Sequence, residues 1–103
     1  MDRPISGFDW DEGNRAKCRQ HGVSASEVEA LFDRPVLIIP DAAHSHSEER
    51  LRAIGKTAAG RSVFLVFTIR ARNGERLIRP ISARYMHARE IASYEKENPD
   101  LSD

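Results

Sequence analysis

The chain has 103 residues, of which 40% are hydrophobic and 31% charged, and its 16 Lys and Arg balance 16 Asp and Glu. These values exclude a disordered chain, and no apolar run approaches the roughly 18 residues of a membrane span. The N-terminus has no apolar signal segment, and the single Cys18 forms no internal disulfide. We expect one domain over residues 1–103 that is cytoplasmic and has no membrane partner.

Two helices are predicted near the N-terminus. The segment "DWDEGNRAKCRQHG" begins with acids and ends in a histidine and a glycine, which predicts a helix from about Asp11 to His21. A second helix follows, because Ser24 and Glu27 have the spacing of a capping box and a proline blocks continuation after "LFDR". We expect this second helix to pack on a sheet.

The residues after the second helix have the pattern of extended strands. Four strands are predicted, "VLIIP", "ERLRAIGKT", "SVFLVFTIRA" and "RLIRPISARY", and the nearly continuous apolar run of the third predicts a central position. Asn73-Gly74 predicts a tight hairpin between the last two strands. The segment "MHAREIASYEKENP" predicts a final helix, and "ISGFDW" is a candidate short strand pairing with the sheet. The expected fold class is therefore α+β, with two N-terminal helices, a twisted antiparallel sheet of about four strands and a C-terminal helix.

Pro80 interrupts the fourth strand, because a proline cannot donate to a strand ladder. The strand should therefore lie at an edge of the sheet or contain a bulge. One extra residue at Pro80 would bring both Ile78 and Ile81 to the core, although they lie on opposite faces of a regular strand. With such a bulge, Arg79 and Arg84 need not face the same way.

The balanced net charge hides an asymmetry along the sequence. Residues 1–50 carry six Lys and Arg against ten Asp and Glu, whereas residues 51–89 carry nine Lys and Arg against the single acid Glu75. This asymmetry suggests an anionic partner for the second half, with nucleic acid as the first candidate. The alternative is a solvated face that happens to be basic.

Strand alternation predicts where the arginines lie. In the central strand an uninterrupted apolar set alternates with a partly polar set, so the apolar set should face the helices. The apolar set is Val63, Leu65, Phe67 and Ile69. The opposite, concave surface is expected to carry Arg50 or Arg52, Arg70 and Arg84. Exposed arginines on a sheet are often only solubilising, but a cluster on neighbouring strands is what a track of phosphates needs.

Three segments resemble the BrnT family of bacterial type II toxins: "FDWDEGNRAKCRQHGVSASEVEALF", "DAAHSHSEERLRAIGKTAAGRSVFLVFTIR" and "LIRPISARYMHAREIASYE". The resemblance covers about Phe8 to Glu95, although the lysine that many members carry shortly after "WD" is absent. It implies a fold similar to that of RelE-like messenger-RNA endonucleases. It also implies RNA as substrate, a cognate BrnA-like antitoxin as partner, and DNA binding only through the antitoxin complex.

A ribonuclease of this kind needs no metal ion or other cofactor, and we expect none. It needs a base for the ribose 2′-OH, an acid for the leaving 5′ oxygen and cations for the charge on phosphorus. The candidate catalytic residues are Arg84, Arg50, Arg70, Glu49, Tyr85 and His21. The candidate RNA-binding residues are Arg52, Arg79, His87 and Arg89. We favour Arg84 among the cations, because it belongs to the "ISAR" motif, and leave the acid and base open among His21, Glu49, Tyr85 and His87. A tyrosine would need its pKa lowered by neighbouring arginines to act as the base.

Each candidate also has an ordinary structural role. His21 can simply be a residue at the C-terminus of a helix, Glu49 simply an ion-pair partner, and Tyr85 simply the start of the last helix.

The segment "HSHSEE" offers imidazole and carboxylate ligands for a metal, but it lacks a fourth ligand. The function that the resemblance implies is a toxin that cleaves RNA and inhibits translation. The alternative is a non-catalytic module whose basic face docks an acidic protein or RNA.

Overall fold

The structure is a computed structural model that describes residues 5–41 and 48–97. The elements in chain order are β1 (Ile5–Phe8), α1 (Glu12–Arg19), α2 (Ala25–Leu31), β2 (Leu37–Pro40), β3 (Leu51–Lys56), β4 (Ser62–Arg72), β5 (Glu75–Tyr85) and α3 (Ala88–Glu97). The strands form one sheet in the order β1-β5-β4-β3-β2. The predicted α+β class, the three helices and the central position of β4 are confirmed. The candidate strand at "ISGFDW" is confirmed as β1. It pairs parallel to β5, so the sheet is mixed and has five strands, whereas an antiparallel sheet of about four was predicted.

Both N-terminal helices begin at reciprocal caps that the sequence encodes locally. The Asp11 carboxylate accepts from the backbone N–H of Asn14, and the Asn14 side chain accepts from the N–H of Asp11, each at 2.8 Å. Ser24 and Glu27 form the predicted capping box at the start of α2. The first helix ends at Arg19, two residues before the predicted end at His21, and a glycine with φ of 84° follows the turn.

The core lies between the two N-terminal helices and one face of the sheet. Its buried residues are Cys18, Val23, Val28 and Leu31 from the helical segment and Ala53, Val63, Leu65, Phe67, Ile78 and Ala83 from the sheet. Alternate positions along β4 supply Val63, Leu65 and Phe67, as predicted. We call this side of the sheet the helix face. In the described residues no helix is both long enough and apolar enough to cross a membrane.

The predicted bulge in β5 is confirmed. Val66 pairs with Ser82 and Phe67 with Pro80, so Ile81 is the extra residue. Pro80 is fully buried and takes the core position that was expected for Ile81, which is only half-buried. The expectation that Ile81 enters the core beside Ile78 was therefore wrong.

A proline is tolerated here although β5 lies between two other strands. The pairing with β1 ends at Ile78, so no strand of the described residues pairs with Pro80 on that side. The side-chain amide of Asn14 donates to the Pro80 carbonyl oxygen at 2.9 Å instead. The first turn of α1 thereby fixes the bulge, and with it the direction of the rest of β5.

Candidate nucleic-acid interface

Several arginines of β3, β4 and β5 lie on the side of the sheet opposite α1 and α2, and four of them concern the site. In the strand ladder Arg52 lies opposite Val66, and Arg84 lies opposite Phe64. These β4 residues alternate with the core-facing ones, and so does Arg70. We call this side, with Arg52, Arg70, Arg79 and Arg84, the arginine face.

The bulge decides where Arg79 lies. Arg79 pairs with Thr68, which shares its side of β4 with Phe64, the partner of Arg84. Residues five apart in a regular strand face opposite ways, but the extra residue between Arg79 and Arg84 returns both to one face. The two arginines therefore share the arginine face, which the sequence had left open.

Each arginine of this face pairs with a carboxylate of the same chain. The pairs are Arg52 with Asp41 at 2.9 Å, Arg70 with Glu48 at 3.3 Å, Arg79 with Asp11 at 2.6 Å and with Asp9 at 3.5 Å, and Arg84 with Glu90 at 2.9 Å. All these acids except Glu90 come from the acidic first half of the chain. The asymmetry along the sequence therefore becomes ion pairing in the folded molecule, and it is not by itself a sign of an external anionic partner.

The pair of Arg84 and Glu90 has two parallel contacts. Arg84 Nη1 donates to Glu90 Oε1 and Nη2 donates to Oε2, both at 2.9 Å. The backbone N–H of His87 also donates to Glu90 Oε1 at 3.0 Å. The guanidinium of Arg84, and next the N–H of His87, lower the pKa of Glu90 to about 2. The carboxylate is thus ionised, and the Arg84 and Glu90 side chains remain 39% and 30% exposed.

Aromatic side chains lie beside these cations. The guanidinium carbon of Arg84 is 4.8 Å from the ring centroid of Phe64, and that of Arg52 is 6.0 Å from the same centroid. Asp41 chiefly raises the pKa of Arg52, and a hydrogen bond with the Tyr94 side chain of α3 contributes. Phe64 of β4 therefore lies between two arginines on the strands that flank it, Arg52 of β3 and Arg84 of β5.

The first turns of α3 form an open groove beside the Arg84–Glu90 pair. The groove has a volume of about 580 Å³ and is lined by His87, Arg89, Glu90, Ser93 and Tyr94. We call it the α3 groove. Two of the predicted RNA-binding residues, His87 and Arg89, are exposed in it. Arg84 itself does not line the groove, but its partner Glu90 does.

Two predicted catalytic residues lie away from this groove. Tyr85 follows Arg84 in the strand and so points to the helix face, where its hydroxyl donates to the Glu27 carboxylate at 2.9 Å. The guanidinium of Arg61 stacks 3.5 Å above the Tyr85 ring. Burial, and next the Glu27 carboxylate, raise the pKa of Tyr85, which is the opposite of what a base requires. His21 is exposed in the turn after α1, next to the glycine whose carbonyl oxygen lies 3.2 Å from the Tyr85 hydroxyl.

The remaining candidates lie at the start of β3. Glu49 is exposed, and its carbonyl oxygen accepts from the Thr68 hydroxyl at 2.7 Å. The carbonyl of Arg50 accepts from the N–H of Asp41 at 2.9 Å, which joins this segment to the end of β2. Both residues thus lie near the end of the arginine face that carries Arg70. His44 and His46 of the "HSHSEE" segment lie outside the described residues, and within the described ranges no three potential metal-ligating side chains come together.

Sequence reasoning missed Glu90, Tyr94 and Phe64. Glu90 had a local signal, because a glutamate three residues after His87 is placed to accept the N–H at a helix start. Tyr94 had none, because its contact with Arg52 depends on how α3 docks on the sheet. Phe64 was assigned to the open side of β4 but not connected with the arginines.

The arrangement suits the binding of a phosphate group. An arginine fork that holds a carboxylate at two points also matches phosphate, and the neighbouring rings offer apolar surface to a base. The family model described as "Ribonuclease toxin, BrnT, of type II toxin-antitoxin system" matches residues 10–90, which include all four arginines of the arginine face. A search of curated proteins finds no match. Since the family model spans most of the sequence, the chain belongs to the BrnT family of ribonuclease toxins of type II toxin–antitoxin systems.

Proposed function

We propose that this protein cleaves messenger RNA without a metal ion, thereby inhibits translation in the cytoplasm, and is neutralised by a cognate antitoxin. The family supports a ribonuclease with an antitoxin partner. The observation that carries the assignment of the site is the two-point contact of Arg84 with a carboxylate at the edge of an open groove. In this proposal RNA binds in the α3 groove, and a cognate antitoxin binds this protein. DNA is bound only by the complex of the protein with its antitoxin.

Arg84 is the central cation of the proposed reaction. When the ribose 2′-OH attacks the adjacent phosphorus, negative charge builds up on the phosphate oxygens, and a planar guanidinium can stabilise two of them. Arg84 is already oriented by Phe64 below it and by Glu90 beside it. Arg52 and Arg70, with Arg50 near them, extend the positive track along the sheet.

His87 is our choice for proton transfer. An imidazole can accept and donate a proton near neutral pH, and His87 lines the α3 groove three residues after Arg84. Glu49 is the alternative, at the other end of the arginine face. Tyr85 and His21 suit this role less, because Tyr85 is bonded to Glu27 on the helix face and His21 lies on that same side.

The decisive experiment is cleavage of a long RNA by the purified protein in the presence of EDTA. The wild-type protein should cleave and leave 5′-OH ends. Arg84→Ala should lose about 10²- to 10³-fold in rate, as is usual when one donor to a developing oxyanion is removed. Arg84→Lys should retain part of the rate, because it keeps the charge but not the fork. Arg19→Ala is the matched control, since Arg19 is exposed on α1 and should not affect cleavage.

Three results would contradict the proposal. They are RNA that stays intact under all conditions, cleavage that Arg84→Ala leaves unchanged, and cleavage that EDTA abolishes. The last would remove metal independence alone. In cell-free translation, the wild-type protein should stop synthesis from a supplied messenger and Arg84→Ala should not.

A non-catalytic role is the second candidate, and the ion pairs favour it. Four arginines of one face already bind carboxylates, so the same face could exchange them for those of an acidic protein. Binding needs the arginines but no acid or base. In that case His87→Ala should affect cleavage and RNA binding no differently, whereas under the nuclease proposal it should slow cleavage far more than it weakens RNA binding.

A further inference from the structure

We infer that α3 is an internal cover of the RNA site, and that the Glu90 carboxylate occupies the position on Arg84 that an RNA phosphate takes when the protein acts. This inference rests on the proposed function and concerns the regulation of the same site. It assigns to α3 a role beyond packing. RNA binding would then require an exchange of anions on a guanidinium that is already in place.

The geometry of the pair carries the first step. Glu90 meets both Nη atoms of Arg84 at 2.9 Å, and this parallel arrangement is the one that arginine also forms with two oxygens of a phosphate group. Both side chains are partly exposed beside the α3 groove. An anion from solution can therefore approach Arg84 from the groove and compete with Glu90 directly.

The weak attachment of α3 carries the second step. No residue of α3 is buried, although every other helix has buried residues. Ile91 and Tyr94 face Ile54 and Met86 across a narrow slit of about 10 Å³. A helix of ten residues is not stable alone in water, so α3 stays folded only while these contacts and its ion pairs hold it.

Charge complementarity carries the third step. Glu95 of α3 contacts Lys56 of β3 at 3.4 Å, and Glu90 contacts Arg84 of β5, so the helix binds the sheet through two acid–base pairs. An RNA strand is a polyanion and competes with both carboxylates at once. Lifting α3 would open the α3 groove towards the sheet, since four of its five lining residues belong to the helix, and would uncover Lys56 and Arg84 together.

The test compares Glu90→Gln with Glu97→Gln. Both substitutions remove one negative charge from α3, but Glu97 is exposed near the helix end and takes part in none of the contacts described above. Binding is measured with a 2′-O-methyl RNA, which lacks the attacking hydroxyl, and cleavage with unmodified RNA. Removing a partly exposed ion pair should raise affinity and cleavage rate about two- to fivefold in Glu90→Gln. Glu97→Gln should change both by much less.

A second measurement keeps the test decisive if Glu90→Gln folds poorly. Hydrogen exchange of α3 amides in the wild-type protein should become faster when the 2′-O-methyl RNA binds. Slower or unchanged exchange would contradict the inference that α3 covers the RNA site. Equal effects of Glu90→Gln and Glu97→Gln in folded proteins would contradict it as well. If the wild-type protein cleaves RNA and Arg84→Ala does not, the proposed function stands whatever α3 does. If the wild-type protein neither binds nor cleaves RNA, both the proposed function and the inference about α3 are wrong.

Discussion

Asn14 connects α1 to two other parts of the molecule, and its replacement by alanine should destabilise the fold strongly. Its side-chain amide donates to the carbonyl oxygens of Asp9 and Pro80, both at 2.9 Å, and its carbonyl oxygen accepts from the N–H of Asp11 at 2.8 Å. Asn14 is 6% exposed, so water does not easily replace these bonds. Asn14→Ala therefore leaves two buried carbonyls and one helix-cap N–H without partners.

The magnitude follows from the three bonds. An unsatisfied buried polar group costs about 1–3 kcal/mol, and loss of a cap bond costs about 1 kcal/mol. Partial access of water to the groups near Asp11 reduces the sum, so we expect the free energy of unfolding to fall by about 2–4 kcal/mol. That is a large share of the roughly 5–15 kcal/mol that stabilises a typical domain.

Urea unfolding followed by circular dichroism measures this loss. The midpoint should fall while the dependence on urea concentration stays the same, because the surface exposed on unfolding hardly changes. Lys17→Ala, on the exposed side of α1, should stay within about 0.5 kcal/mol of the wild type. Asn14→Asp keeps an acceptor for the cap but loses both donors, so it should also be destabilised. A loss below about 1 kcal/mol for Asn14→Ala would refute the claim that this residue fixes the bulge.

Three further predictions concern packing, pH and salt. A Cβ atom at position 55 would lie 2.8 Å from Cγ1 of Val36, so Gly55→Ala should lower the free energy of unfolding by about 1–3 kcal/mol, as measured by thermal unfolding. The double variant with Val36→Ala should recover part of this loss. Because the pKa of Glu90 is lowered from 4.5 to about 2, its pairing with Arg84 should stabilise α3 fully above pH 4.5, and this stabilisation should be lost as the pH falls towards 2. An NMR titration should show the loss in the wild-type protein and not in Glu90→Gln. RNA affinity measured by anisotropy should fall with salt along a shallow slope, since only a few phosphates are contacted, and a salt-independent affinity would contradict the proposed interface.

Local rules predicted most of the fold. The capping box at Ser24, the tight turn at Asn73-Gly74 and the bulge beside Pro80 each depend on a few neighbouring residues, and the structure contains all three. The parallel pairing of β1 with β5 joins residues about seventy positions apart in the chain. The short segment "ISGF" has no feature that specifies such a partner, so its place in the sheet could not be read from the sequence.

The site was predicted less completely, for two reasons. Strand alternation predicted one face with Arg70, Arg84 and either Arg50 or Arg52. The same rule separates Arg84 from Tyr85, although the sequence reasoning had combined them in one catalytic set. The second reason is that the sequence did not predict which carboxylate pairs with each arginine. Asp11 meets Arg79 only because α1 folds against the bulge of β5, and no sequence pattern shows which acid lies beside which arginine.

The ion pairs bear directly on how a chain without net charge would bind RNA as proposed. A free arginine loses up to about 2 kcal/mol of side-chain conformational entropy when it becomes fixed on a phosphate. Arg84 is already held by Glu90 and Phe64, so this cost falls on folding and not on RNA binding. In the proposed exchange one anion replaces another on an oriented guanidinium, so the net affinity would be the difference between two similar interactions. Such a site should bind isolated phosphates weakly, and it should favour an RNA strand that engages Arg84 together with the cations beneath α3.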